Sequence, residues 1–164
     1  MRDEVDRLVE AWRRERPELD VSPMQVLSRV TRLARHLDLA RRQAFAARRL
    51  ESWEFDVLSA LRRAGEPYQL SPGRLLRETL VTSGTMTNRV DRMVARGLVE
   101  RLPEPSDRRG VRVALTPAGR ESVDAALDEL LLREQELLRA LTDEDSAELA
   151  RMLRIVVAPF DDVP

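Results

Sequence analysis

Apolar residues recur every three to four positions over most of the chain, which is the spacing of one buried face on a helix. Leu8, Val9 and Trp12 form such a stripe in a segment predicted to run from Asp3 to Arg16 and to stop before Pro17. Val26, Val30, Leu33, Leu37, Ala40, Ala44 and Ala47 carry a second helix, predicted over Pro23 to Arg49. A third is predicted over Trp53 to Ala64, broken by Gly65-Glu66-Pro67, and a short fourth over Pro72 to Leu80. A fifth covers Ser83 to Arg96 and ends at Gly97, a residue able to take the left-handed conformation that closes a helix. The period then changes. Leu98 to Leu102 and Val111 to Leu115 read as two strands, joined by a polar turn from Pro103 to Arg109. Helical spacing resumes over Pro117 to Leu141, where Val123, Leu127, Leu130, Leu131, Leu137, Leu138 and Leu141 form a strong stripe. A last helix, Asp143 to Val157, carries Leu149, Met152, Leu153 and Val156.

Local signals support these starts. Ser22-Pro23, Ser71-Pro72 and Thr116-Pro117 each place a hydroxyl where it can cap exposed amides, ahead of a proline that lacks the amide left unpaired in a first turn. Thr142 and Asp145 make a further capping pair. Helices, then a hairpin, then helices predict a mainly α chain with a small β-hairpin: a winged helix-turn-helix flanked by helical dimerisation arms. Residues 1–49 form the N-terminal helices, 53–115 the central lobe and 116–164 the C-terminal helices. The arms carry more apolar surface than so small a lobe covers, and interleaving with a second copy is the simplest use for it.

Composition removes several function classes. The 164 residues contain 28 basic side chains, all arginine, with no cysteine, one histidine (His36) and one asparagine (Asn88). Without cysteine there is no disulfide frame, thiolate metal site or thiol sensor, and one histidine leaves no metal cluster. No nucleophile–base pair or phosphate-binding glycine loop is present, so neither catalytic residues, metal nor cofactor is expected. No apolar run spans a membrane. The chain is charged from Arg2 onward, so no signal peptide is read and a cytoplasmic location is expected.

Charge is uneven. The net charge is −1, yet residues 57–112 carry a local excess of arginine and residues 113–164 a local excess of acid. Within the basic stretch, Met86, Val90, Met93, Val94 and Gly97 fall on one face of the fifth helix. Thr85, Asn88, Arg89, Arg92 and Arg96 fall on the other, with Ser83 and Thr87 adding hydroxyls near its start. Arginine reads guanine with two hydrogen bonds, asparagine reads adenine, and threonine meets a thymine methyl or a phosphate. Arg108, Arg109 and Arg112 on and beside the hairpin tip can reach phosphates or a minor groove. The expected DNA-binding set is therefore Ser83, Thr85, Thr87, Asn88, Arg89, Arg92, Arg108, Arg109 and Arg112.

Together these residues give the chain its resemblance to the MarR family of bacterial transcription regulators. Asp107-Arg108-Arg109, then Leu115-Thr116 and Gly119, match that family's wing signature. Ser83-Gly84-Thr85, Arg89-Val90-Asp91-Arg92 and Gly97-Leu98-Val99 match its recognition helix and following strand. The resemblance implies a homodimer on a palindromic operator in double-stranded DNA, with a ligand pocket between arms and lobes. The added N-terminal helix with Trp12 resembles the PecS and urate-responsive subgroup. That likeness implies a small anionic effector (urate-, xanthine- or carboxylate-like) held by Trp12, Asp56, Arg89 and Arg101, with Asp56 able to pair with Arg101 when ligand is absent. The alternatives are a dimeric protein-interaction module and a regulator with no effector.

Overall fold

The computed structural model describes residues 2–79, 83–104 and 107–161, with side chains except those of Ser83, Asp107, Arg108, Arg109 and Asp161. The chain runs α1 (Glu4–Glu15), α2 (Met24–Ala46), α3 (Ser52–Arg63), β1 (Gln69–Leu70), α4 (Pro72–Thr79), α5 (Ser83–Ala95), β2 (Val99–Glu104), β3 (Asp107–Leu115), α6 (Pro117–Leu138) and α7 (Asp143–Asp161). The mainly helical winged architecture is as the patterning predicts.

Differences lie at element ends. α2 stops at Ala46 rather than Arg49, because Arg49 takes a left-handed conformation and the Leu50 amide turns back to the Phe45 carbonyl at 3.0 Å. Ser22 does not cap α2: its amide and hydroxyl both donate to Asp20 instead, at 2.9 and 3.0 Å. Thr116 does cap α6, accepting from the Gly119 amide at 3.0 Å, and Thr142 accepts from the Asp145 amide at 3.1 Å. α6 ends at Leu138 and α7 runs on past Val157 to Asp161. The predicted turn over Pro103 to Arg109 is narrower, since strand pairing continues to Glu104 and resumes at Asp107. Backbone pairing, not side-chain alternation, extends the ladder through those polar positions.

The patterning predicts no strand at β1. β1 adds to the free edge of β3, through Gln69 opposite Ala114 and Leu70 opposite Val113, to give an antiparallel sheet of order β1-β3-β2. One core gathers Phe45, Leu58, Leu61, Leu75, Met86, Met93, Val99 and Val113 from the helices and the sheet. Phe45 and Phe55 stack within it at 4.2 Å. A separate small cluster, Val5, Val9 and Val21 with Met24, seats α1 on the start of α2. Arg29 clasps the same joint, donating to Asp3 at 2.8 Å and to Asp6 at 2.8 Å.

The arms are only partly covered in the single chain: Ala44 of α2 and Val123 and Leu130 of α6 join the core, while other apolar residues on these helices stay exposed. Val26 is 56% exposed on α2, Leu132 is 63% exposed on α6, and Ile155 and Phe160 are 62% and 74% exposed on α7. Among the described residues α7 packs substantially on no other element.

Candidate nucleic-acid interface

α5 is a helix with one dry side. Met86, Val90 and Met93 are buried in the lobe core. Val94 and Gly97, expected on that side, are instead exposed. The opposite side carries Thr85, Thr87, Asn88 and Arg92, all exposed, and Arg89, half-buried. Gly97 closes the helix with a left-handed φ of 69°, and the Leu98 amide returns to the Met93 carbonyl at 3.0 Å. Short polar groups and guanidiniums are thus presented on a rigid, core-backed helix.

Arg96 departs from expectation. It does not join the outer face but pairs with Glu54, a carboxylate that is 1% exposed, and donates to the Arg49 carbonyl at 2.7 Å. Glu54 also accepts the Glu51 amide at 2.9 Å, so one buried acid ties the first turn of α3 to the end of α5. A buried charge is tolerated only when paired and hydrogen-bonded in this way. The Glu51-x-x-Glu54 spacing ahead of an apolar run was the available sequence signal.

The wing is braced from within. Arg112 lies opposite Leu102, and its fork grips Glu104 with bonds of 2.6 and 2.8 Å. That carboxylate raises the Arg112 guanidinium's pKa above its already high ordinary value. Ser83 begins α5 and Arg108 and Arg109 lie in β3, but their side chains lie outside those described.

The joint between wing and α6 explains the Leu-Thr-x-x-Gly motif. The Thr116 hydroxyl donates toward the Gly97 carbonyl at 2.6 Å, and the Thr116 amide to the Leu98 carbonyl at 3.2 Å. The backbones approach so closely that a Cβ on Gly119 would lie 1.9 Å from the Leu98 carbonyl oxygen.

The four residues assigned to an effector are not gathered in one chain. Trp12 is 46% exposed on α1. Asp56 borders a cleft with Arg41, Phe55, Ser59, Arg63 and Glu78. Arg89 borders one with Trp53 and Asn88, and Arg101 another with Met86 and Val113. The expected Asp56–Arg101 pair is replaced by two others: Asp56 with Arg41 at 2.9 Å, and Arg101 with Asp91 at 2.5 Å. Each arginine takes the acid its own neighbourhood supplies. Arg41, which sequence reasoning missed, also lies over the rings of Phe45 and Phe55 at 5.3 and 5.7 Å.

Among the described residues no group of acids or histidine is arranged to hold a metal ion, and no helix is long and apolar enough to cross a membrane.

A family model described as MarR family matches residues 50–110. The HTH-type transcriptional regulator PecS of Dickeya dadantii is 35% identical over 150 residues, covering 92% of this chain and 90% of that protein. A mutant MarR from E. coli, solved complexed with operator DNA, superposes with a TM-score of 0.69 at 29% identity, covering 85% of this chain and 99% of that one. BpsR of Bordetella bronchiseptica, described with regulation of its DNA binding by 6-hydroxynicotinic acid, gives a TM-score of 0.68 at 26% identity over 89% of this chain and 99% of that one. These relatives are transcription regulators, not enzymes. With a core-backed polar helix, a braced wing and that likeness over nearly its whole length, the chain belongs to the MarR family of DNA-binding, winged helix-turn-helix transcription regulators.

Proposed function

We propose that the chain is a homodimeric repressor that binds a palindromic operator and is released by a small anionic effector. The observation that carries the DNA reading is the exposed edge of α5, with Thr85, Asn88 and Arg92 in the open and Met86, Val90 and Met93 buried behind them. In this reading Asn88, Arg89 and Arg92 meet base edges in the major groove. Ser83, Thr85 and Thr87 contact phosphates or thymine methyls. Arg108, Arg109 and Arg112 reach phosphates or the flanking minor groove from the wing, with Arg112 held in place by Glu104. Dimerisation is supported by the uncovered apolar faces of α2, α6 and α7. Two copies then set two reading helices about one DNA turn apart.

A mobility-shift assay tests this on DNA flanking the chain's own gene. The wild type retards a palindromic fragment, and Arg109→Ala weakens binding while leaving the dimer intact. No retardation at any salt concentration would leave the protein-interaction module as the better reading.

The effector half is supported by the small-acid regulation described for BpsR and by the cleft where Arg41 meets Asp56. Trp12, Asp56, Arg89 and Arg101 are the residues assigned to it. An anion competing for those arginines would favour one of two lobe arrangements and so change DNA affinity. Titration with urate, xanthine and small polycarboxylates tests it. Quenched tryptophan emission together with release of DNA supports the assignment, whereas neither effect at millimolar ligand excludes it.

A further inference from the structure

Two guanidiniums of α5 and that of Arg96, which directly follows it, converge on the first turn of α3. Arg96 is fixed there by Glu54. Farther toward the start of α5, Arg92 and Arg89 lie over the ring of Trp53, with Cζ 4.9 and 5.3 Å from a ring centroid. Positions 89, 92 and 96 share one helical stripe. Trp53 packs against the lobe core, and its place is set by the helix start that Glu51 and Glu54 cap. The same indole borders a cleft with Gly84, Thr85, Asn88, Arg89 and Arg92. The ring that holds two arginines therefore opens onto the face carrying the one asparagine of the chain.

A guanidinium free in water must give up many rotamers before it can fix on a base or phosphate. A guanidinium lying on an indole has given up part of that freedom in advance. Stacking uses only its flat face, so the N–H groups along its edge stay available as donors. We propose that Trp53 is a positioning residue for DNA recognition, stacking Arg89 and Arg92 so that their N–H edges are set toward double-stranded DNA before it binds. The inference rests on the reading of α5 as the base-reading helix.

The test compares wild type, Trp53→Phe, Trp53→Leu and the pair Arg89→Ala and Arg92→Ala. Each is titrated by fluorescence anisotropy against an operator duplex at several salt concentrations. Helix content and melting temperature are followed alongside. Trp53→Leu is expected to bind about tenfold more weakly, with Trp53→Phe intermediate, since a phenyl face holds the cation less well. The salt slope is unchanged, because every cation is retained. A purely structural role would lower the melting temperature without this graded rescue.

In the free protein, the Arg89 and Arg92 Hε resonances, assigned through arginine-to-lysine variants, should lie upfield from ring shielding in wild type and move downfield in Trp53→Leu. Should Trp53→Leu fail to fold, the smaller loss and partial shift in Trp53→Phe decide the matter. Unchanged or tighter binding by a folded Trp53 variant overturns the inference. If the arginine variants also leave binding unchanged, the reading of α5 has failed. If they weaken binding and the Trp53 variants do not, only the positioning role has failed.

Discussion

At the scale of single residues, the tightest constraint is where α6 leaves the wing. Thr116 bonds to both the Gly97 and Leu98 carbonyls and caps α6, while Gly119 lets the helix lie directly on the Leu98 backbone. A methyl at Gly119 meets backbone rather than a flexible side-chain tip, so the joint must open to admit it. Gly119→Ala is expected to destabilise the fold by about 2 kcal/mol, measured by chemical denaturation, with the wing loosened at its base. This motif was legible in the sequence as a motif, though its physical reason was not, because the contact joins residues about twenty positions apart. Glu54 was harder still. An acid followed by Phe55 and Asp56 reads as surface, and only the fold reveals that it is buried against Arg96.

At the scale of elements, the helical period located each helix among the described residues, and misjudged mainly the ends. Ser22-Pro23 looks in sequence like Ser71-Pro72 and Thr116-Pro117, yet Asp20, two residues earlier, takes up both the hydroxyl and the amide of Ser22. β1 is two residues long and cannot display a period, so only its pairing with β3 defines it. α1 has a separable attachment, a valine cluster, the Arg29 clasp and an Arg32–Glu4 pair. The Asp3 carboxyl is held below its ordinary pKa first by the Asp6 amide and then by Arg29, and the Asp6 carboxyl first by the Asp3 amide and then by Arg29. Carboxyls with depressed folded values add stability that is fully present above the unfolded value and is lost as pH falls through the folded one. α1 should therefore stay docked at neutral pH and loosen below about pH 4. Tryptophan emission, which includes Trp12 on α1, follows this loosening, and Arg29→Met should move it to higher pH.

At the scale of the whole molecule, a net charge of −1 conceals its distribution. The segment holding α5 and the wing has an arginine excess, and the acids concentrate in the helices beyond it. The exposed polar face of α5 was legible in the sequence because a polar stripe on a core-backed helix keeps its period. It did not make the effector residues legible as one site: Trp12, Asp56, Arg89 and Arg101 border different surfaces of the single chain, and Asp56 is claimed by Arg41. The stripes of α2, α6 and α7 hold more apolar surface than one lobe covers: Ala44, Val123 and Leu130 are buried, while Val26, Val30, Leu127, Leu131, Met152 and Val156 remain exposed in the single chain.

The most direct measurement is the affinity of wild type and Asn88→Ala for an operator duplex and a scrambled duplex at one salt concentration. Wild type should prefer the operator by about a thousandfold or more. Asn88→Ala should lose about tenfold on the operator and nothing on the scrambled duplex. No preference in the wild type, or an equal loss on both duplexes, would contradict base reading by α5.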